Sequence, residues 1–419
     1  MSAQDKNPSI SEDNSQDLKA YFTKIHRRAR LRTFFLTVPL LIFVLVGFIV
    51  PITLIMTRSV HNATFPDHFP RTTEALRTWS PPALPNEAAW RALGEDLWKS
   101  GQEKTTGKVA TRLNYELPGA RSLFTSAARK AKQMGSAPTR ETIISWDERW
   151  ADPTTWIAMK KTSHAYTPDF YLSAVDARQD IDGNITLKDE DYRIYVPLFV
   201  RTFGISALIT GLCLVLGFPV AYWLANMPLR RSNILMICVL LPFWTSLLVR
   251  TTSWIVLLQS EGVLNDILVS TGLIDDMNRI QMIYNATGTV VAMTHILLPF
   301  MILPLYSIMR TIPPHYMRAA RSLGASQPVA FLKVYMPQAA PGVSAGVLLV
   351  FILAIGYYIT PALVGGQSGE LISGQIAFHI QRSLNWSLGA AISVILLTAV
   401  FILYYLYNRL AGAENVRLG

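Results

Sequence analysis

The sequence predicts an all-α polytopic membrane protein with six transmembrane helices and one large insertion. Of its 419 residues, 51% are hydrophobic and only 16% are charged, and the mean hydropathy is +0.28. The charged residues are concentrated between long uncharged runs, which is typical of membrane-spanning helices. Because the basic residues behind the net charge of +10 cluster beside these runs, they indicate membrane topology and not nucleic-acid binding.

The first apolar run follows a polar tail. Residues 1–32 are rich in Ser, Asp and Asn and end in a basic cluster, so we expect a cytoplasmic tail without a packed core. Residues 33–56 carry no charge. A run of about 24 residues at ~1.5 Å per residue exceeds a hydrocarbon core of roughly 30 Å. The sequence therefore predicts transmembrane helix 1 over residues 33–57.

A polar segment, residues 58–196, separates this helix from the other apolar runs. At roughly 140 residues it is long enough for a small domain. Asn86 is positioned to cap a helix, and residues 118–134 predict a basic amphipathic helix. Asp182-Gly183-Asn184 between strand-like pieces predicts a hairpin. We expect a periplasmic domain of mixed structure.

Five further apolar runs form a predicted transmembrane core over residues 197–410. They are expected at residues 203–227, 233–259, 282–309, 342–364 and 384–407. The short loops and tails on one side hold many basic residues, namely Arg230, Arg231, Arg310, Arg318, Arg321, Lys333, Arg409 and Arg417. The short loops on the other side hold only Arg279 and Arg382. Since basic residues mark the cytoplasmic side, we expect both termini there, including a C-terminal tail at residues 411–419.

A polar, basic loop, residues 310–341, interrupts the apolar runs on the predicted cytoplasmic side. Two prolines suit the first turn of a helix, and Gly324 is expected to end it. A second short helix is predicted to begin at Ser326 and to stop before Pro337. One face of the first helix carries Tyr316, Ala319, Ala320 and Leu323. We expect a rigid platform of two short helices that a soluble motor could grip.

Motifs for catalysis and metal binding are weak or missing. Residues 101–109 differ from a phosphate-binding loop in spacing and lack the hydroxyl residue after the lysine. Residues 178–189 have the spacing of a calcium loop, but Arg178 occupies its first position. Cys213 and Cys238 both lie in predicted spans, which argues against a disulfide or a zinc site. We expect no enzyme activity, metal or cofactor.

No acidic side chain lies inside the predicted spans, so an ion relay of intramembrane carboxylates lacks its usual parts. Arg250 could line a solute path, pair across a subunit interface or reach the outer surface, and these alternatives stay open. Trp244, Trp254 and Tyr357 offer aromatic faces to a cationic or sugar-like solute, or pack as ordinary bundle residues. His295 could carry protons or be a hydrogen-bonded interior residue.

The platform resembles the cytoplasmic signature of ATP-binding-cassette (ABC) importer permeases, in which EAA is followed by three residues, Gly, nine residues and I-x-L-P. Here Arg318-Ala319-Ala320, Gly324 and Val334-Tyr335-Met336-Pro337 keep both gaps, although Arg318 replaces an acidic residue. Permeases of spermidine/putrescine and related opine importers are similar over residues 197–410, above all at 241–254, 298–309, 319–325 and 351–366.

The resemblance implies the type I fold of ABC importer permeases and the import of a polyamine or related nitrogenous small solute. It implies residence in a bacterial inner membrane with ABC ATPase subunits, a second and different permease subunit, and a periplasmic solute-binding protein. It also implies that coupling to the ATPase uses Tyr316, Arg318, Ala319, Ala320, Leu323, Gly324 and Pro337. Alternatives are an ion-gradient-driven secondary carrier, an importer of an opine or amino-acid derivative, and a membrane-tethered enzyme or receptor centred on the insertion.

Overall fold

The computed structural model describes residues 34–179 and 184–410, except for the side chain of Leu410. The two expected tails, 1–32 and 411–419, lie outside the described residues, as do Asp182 and Gly183 of the expected hairpin turn. The chain divides into two units, residues 1–57 and 58–419.

The first unit contains helix α1, Phe34–Arg58, whose apolar residues are unburied in the described part of the chain. A π-helical turn at Leu45–Ile49 precedes Pro51, which has no N–H to donate. The hydroxyls of Thr37 and Thr53 donate to carbonyl oxygens one turn earlier, at 2.9 and 2.8 Å. The helix therefore satisfies these polar groups internally, as a lipid environment requires.

The second unit begins with the insertion, which is mainly helical and not evenly mixed. Its helices are α2 (Thr64–His68), α3 (Pro70–Arg77), α4 (Glu87–Glu103), α5 (Thr106–Asn114), α6 (Ala120–Met134), α7 (Arg140–Trp146), α8 (Pro153–Thr162) and α9 (Asp169–Ala174). Strand β1 (Ala177–Gln179) pairs with β2 (Ile185–Leu187) in an antiparallel hairpin. As the sequence predicts, Asn86 caps α4, accepting a 3.1 Å hydrogen bond from the Ala89 N–H.

Aromatic rings fill the centre of the insertion. Trp90 and Trp156 are fully buried and meet edge to face, with ring centroids 4.6 Å apart. Phe124 and Trp150 meet at 4.8 Å. Such pairs add about 0.5–1.5 kcal/mol to the burial of their apolar area. The insertion therefore has a hydrophobic core of its own.

The remaining described α-helices comprise four long apolar ones and seven shorter ones. They are α10 (Tyr195–Asn226), α11 (Leu229–Leu240), α12 (Leu247–Leu258), α13 (Val263–Ser270), α14 (Ala286–Thr311), α15 (Pro314–Ser322), α16 (Gln327–Gly356), α17 (Ile359–Val364), α18 (Gly366–Gly369), α19 (Ile372–Gln381) and α20 (Trp386–Leu410). With α1, the described residues contain five helices able to span a membrane, or six spans when the bent pair from α11 to α13 counts as one.

The expected continuous span over residues 233–259 is wrong. The chain bends by 93° just after Trp244. Pro242 lies in a 3₁₀ turn before the bend, and the Ser246 hydroxyl begins a new helix by accepting a 3.2 Å hydrogen bond from the Val249 N–H. Because a turn containing a proline is followed directly by a helix cap, the single apolar run forms two helical segments at an angle.

Small residues let the central membrane helices α10, α14 and α16 approach closely. A Cβ added to Gly346 would lie 2.8 Å from the sulfur of Met301, and one added to Gly342 would lie 2.9 Å from Cβ of Ile308. Cys213 is fully buried in the same core. Gly342 and Gly346 therefore allow the close packing of α14 and α16, as small residues do at helix interfaces in membranes.

The base of the insertion packs on the membrane helices of the same unit. Phe170 and Ala174 of α9 join Tyr195 of α10 and Leu388 and Ala391 of α20 in one buried cluster. In addition, the Ser387 hydroxyl donates a 2.9 Å hydrogen bond to the carbonyl oxygen of His61. The insertion is therefore held against the starts of α10 and α20.

Candidate functional site

Helix α15 and the turn that follows it form the first half of the platform. Pro313 and Pro314 lie at its start, where a missing N–H costs no intrahelical hydrogen bond. Gly324 has a φ of +92°, in the region that disfavours residues with a Cβ, and its N–H donates to the Arg321 carbonyl oxygen at 3.0 Å. The predicted helix stop at Gly324 is therefore confirmed.

The second half of the platform differs from the expectation. The helix that begins after Ser326 does not stop before Pro337 but runs on as α16 to Gly356. A π-helical turn at Phe331–Tyr335 ends two residues before Pro337. The wider turn accommodates a ring that lacks an N–H and would crowd the preceding carbonyl group. The platform is consequently one short helix joined by a tight turn to a membrane helix.

Two sets of contacts fix the platform to the bundle. Arg310, at the end of α14, donates through Nη1 to the carbonyl oxygens of Ala225 and Met227, at 2.6 and 2.8 Å, near the C-terminus of α10. A cation suits that end of a helix. Phe331 stacks on Tyr335 with centroids 5.5 Å apart, and Tyr222 of α10 meets both rings. A force on α15 would therefore reach α10, α14 and α16.

The residues expected to contact an ATPase are mostly accessible. Tyr316 is 44% exposed and Leu323 is 89% exposed, which is unusual for such large apolar side chains. Arg318 and Ala319 are also exposed, whereas Ala320 is half-buried. The structure thus groups these residues with Gly324, and it places Pro337 apart from them, in α16.

Arg250, in α12, lies among polar and aromatic side chains of the bundle. It is half-buried, and its Nε and Nη1 atoms have no hydrogen-bond partner in the described part of the chain. It lies within electrostatic range of His295 and Tyr357. Trp254, one helical turn further along α12, donates a 3.1 Å hydrogen bond from Nε1 to Nδ1 of His295. Arg250, Trp254 and Tyr357 therefore belong to one region around His295.

Trp244 lies apart from this region, and His295 differs from the expectation. Trp244 lies before the bend and is 78% exposed, and no hydrogen bond or ring contact of the described residues joins it to the Arg250 region. His295 is hydrogen bonded but lies exposed on the surface of this chain and not in its interior. An apolar run alone does not reveal which helix face a residue occupies.

A cavity with a carboxylate in a mainly apolar wall went unnoticed in the sequence. It has a volume of about 430 Å³ and lies between α17, α18 and α19, with Glu370 in its wall. The only sequence signal was that Glu370 is the single acidic residue between Tyr284 and Leu410. Separately, the described residues contain no group of three His, Cys, Asp or Glu side chains placed to hold a metal ion.

Comparisons with known proteins agree with a membrane-embedded transport subunit. Residues 215–413 match the family described as binding-protein-dependent transport system inner membrane component. The spermidine/putrescine transport system permease protein PotB of Escherichia coli (strain K12) is 32% identical over 225 residues, which cover 54% of this chain and 81% of that protein. The chain belongs to this family of ABC importer permeases, and it is a multi-pass inner-membrane protein.

Other relatives also match about half of the chain. PotB of Haemophilus influenzae is 32% identical over 224 residues, 53% of this chain and 78% of that protein. The inner membrane ABC transporter permease protein YdcU of Escherichia coli is 29% identical over 220 residues, 49% of this chain and 70% of that protein. A crystal structure of a bacterial ABC transporter involved in the import of the acidic polysaccharide alginate aligns at 15% identity and a TM-score of 0.43, over 54% of this chain and 81% of that one.

Proposed function

We propose that this permease imports a polyamine or a related nitrogenous small solute. The observation that carries the proposal is its similarity to permeases named for spermidine and putrescine, at 32% identity over about four fifths of their length. The long membrane helices α1, α10, α14, α16 and α20 contain no acidic residue. A cationic solute would therefore be recognised within the bundle mainly by aromatic faces.

The proposed orientation places both termini and the platform in the cytoplasm. The insertion, residues 58–196, is then a periplasmic domain, and residues 197–410 form the permease core. Basic residues support this arrangement because they crowd the loops on the platform side.

The proposed partners are ABC ATPase subunits, a periplasmic solute-binding protein and a second permease subunit of different sequence. The ATPase would contact the exposed surface of α15 and its turn, which carries Tyr316, Arg318, Ala319, Ala320, Leu323 and Gly324. Leu323 supports this role because burying an 89% exposed leucine against a partner is favourable by roughly 1.5–3 kcal/mol. Pro337 acts indirectly, by shaping the π-helical turn at the start of α16.

In this proposal the solute passes Arg250, Trp254 and Tyr357. Trp244 would contact the solute from the helical segment before the bend, whereas Arg250 and Trp254 lie in the segment after it. Closure of the ATPase dimer moves α15, and the contacts of Arg310 and Phe331 carry that movement to the bundle. A rigid-body change of this kind is a common basis for alternating access.

Reconstitution tests the proposal. The chain is assembled in proteoliposomes with the permease, ATPase and binding protein encoded beside it, and uptake of radiolabelled spermidine and putrescine is measured. We expect uptake that requires both ATP and binding protein. Uptake by this chain alone, driven by an ion gradient, would instead identify a secondary carrier.

A second candidate solute is an opine or another carboxylated amino-acid derivative. The observation in its favour is Arg250, whose unpartnered guanidinium N–H groups fit a carboxylate. Ligand screening of the neighbouring binding protein separates the two candidates, since the preferred solute carries a carboxylate in one case and only amines in the other.

A further inference from the structure

The cavity beside Glu370 has the composition of a site for an alkylamine. Its wall is largely apolar, with Pro361, Ala362, Leu371 and Ala377, and the aromatic rings of Tyr358 and Phe378 are 37% and 43% exposed. Gln367 and Gln381 add amide groups. At about 430 Å³ the space is large enough for a small organic molecule.

The frame of the cavity is rigid. Thr289 of α14 donates a 3.2 Å hydrogen bond to the carbonyl oxygen of Gly369, and the Ser368 hydroxyl accepts one of 3.1 Å from the Ala286 N–H. A Cβ added to Gly369 would lie 2.5 Å from the Thr289 hydroxyl. Because α18 fits this closely against α14, the cavity is formed by the fold itself and not by loose side chains.

Glu370 supplies the negative charge of the cavity. Its Oε1 accepts a 2.9 Å hydrogen bond from Nε2 of Gln375, which fixes the side chain. Gly374 lies beside it, and a Cβ there would be in ordinary van der Waals contact with Cγ and Oε1 of Glu370, at 3.6 Å. The carboxylate is half-buried and forms no ion pair with any described residue. It therefore remains available to a cation.

The cavity lies on the insertion side of the bundle. Arg201, near the start of α10, donates a 2.7 Å hydrogen bond to the carbonyl oxygen of Gln367, and His379 of α19 is hydrogen bonded to Tyr195 at 2.8 Å. The start of α10 is also where the insertion packs. In the proposed orientation, a solute released by the binding protein would therefore meet this side first.

We propose that this cavity is a cation-selective entry site in which Glu370 binds an ammonium group of the solute, while Tyr358 and Phe378 pack against its methylene chain. The inference rests on the proposed import of polyamines and deepens it. A carboxylate for the charged end and apolar walls for the chain match the chemistry of a linear polyamine. Each ammonium group keeps its proton, so the interaction requires no chemical step.

A basic residue, Arg382, also lines the cavity, and its replacement distinguishes a cationic ligand from an anionic one. Arg382 is exposed at the rim and forms no ion pair with Glu370 in the described part of the chain. Its charge opposes a cationic ligand but would favour an anionic one. Replacement of Arg382 should therefore not weaken amine binding.

The experiment measures equilibrium binding of radiolabelled spermidine and putrescine to the assembled permease–ATPase complex without binding protein. Glu370→Gln should weaken spermidine binding about tenfold, the loss of one charge-assisted hydrogen bond. Glu370→Asp should restore part of the affinity, and Arg382→Gln should leave it equal or tighter. Glu141→Gln, which removes an exposed carboxylate of the insertion, is the matched control.

Three outcomes would overturn the site: no measurable binding by the unmodified complex, equal affinity of Glu370→Gln and the unmodified complex, or a loss on Arg382→Gln as large as that on Glu370→Gln. The last outcome would indicate an anionic ligand. Thermal unfolding of each variant complex excludes misfolding as the cause of weak binding. Uptake by the unmodified transporter is measured separately, so failure of the proposed function is distinguishable from failure of this site.

Discussion

The carboxylate of Asp176 accepts a 2.7 Å hydrogen bond from the backbone N–H of Val196, across twenty residues of chain. A second hydrogen bond, of 3.0 Å, comes from the N–H of Ile194. Asp176 is fully buried, and its own carbonyl oxygen accepts from the Lys188 N–H at 2.8 Å. A carboxylate is favourable at the N-terminus of a helix. One side chain therefore joins the β-hairpin of the insertion to the first turn of α10.

Asp176→Ala should destabilise this junction. Two backbone N–H groups lose their acceptor, and we expect the free energy of unfolding to fall by about 2 kcal/mol. The measurement is thermal unfolding of the purified complex, followed by tryptophan fluorescence. Asp152→Ala is the matched control, because Asp152 also accepts a backbone N–H, that of Thr154 at 2.8 Å, but lies at an exposed helix start away from α10. Equal losses from both variants would contradict the junction.

Gly324→Ala should impair coupling to the ATPase. At a φ of +92° the added Cβ strains the backbone by about 1 kcal/mol, although the space around it is open. We expect a several-fold loss of ATPase stimulation by loaded binding protein, because the turn that orients α15 would shift.

Gly135→Ala provides the control for backbone strain. Gly135 has a φ of +76° and equally open surroundings, but it follows α6 in the insertion. If both variants reduce stimulation equally, general destabilisation and not the platform turn is responsible.

Local signals were enough to predict much of the fold. Asn86 caps α4, and Gly324 ends α15, because capping and positive φ depend on a few neighbouring residues. The bend after Trp244 was missed because hydropathy is the same in both helical segments of the run. The helical continuation past Pro337 was missed because a π-helical turn can accommodate a proline that would otherwise end the helix.

Long-range polar contacts could not be predicted. Asp176 and Glu370 lie in segments without a motif, and their partners depend on how distant helices pack. Arg250 was noticed because a charge inside an apolar run is rare, yet its proximity to His295 and Tyr357 follows only from the tertiary structure. Composition therefore finds unusual residues, and the fold decides what surrounds them.

Arg250→Gln should reduce transport of a carboxylated solute without preventing assembly. The Arg250 guanidinium group has unpartnered buried N–H groups, and loss of one charged hydrogen bond to a carboxylate corresponds to about a tenfold lower uptake. A polyamine offers the guanidinium group no acceptor, so its uptake should not fall. Arg250→Lys should keep part of the activity. Uptake in proteoliposomes and size-exclusion chromatography are measured together.

The control for Arg250 is Arg121→Gln, which removes an exposed guanidinium group from α6. If Arg250→Gln complexes fall apart during chromatography, Arg250 contacts the second permease subunit and does not line the solute path.

His379 should make the junction between α10 and α19 sensitive to acid. Burial lowers the pKa of His379 to about 4, below its ordinary value of 6.5. Between these values the unfolded chain binds a proton that the folded chain does not, so stability falls as the pH is lowered from 6.5 towards 4. The contribution is fully present above pH 6.5. His379 is hydrogen bonded to Tyr195 at 2.8 Å and to Ser383 at 3.0 Å, which holds the neutral ring in place.

The measurement is the unfolding temperature of the purified complex against pH, compared with His379→Gln. The variant should be less stable at pH 7 but should lose less stability between pH 6.5 and 5. Unfolding temperatures are compared only above pH 5, because protonation of Glu116 changes the stability at lower pH. Burial raises the pKa of Glu116, but the charges of Arg112 and Lys161 lower it further, to below the ordinary 4.5. Parallel curves for the two proteins over this range would contradict a buried neutral histidine at the junction.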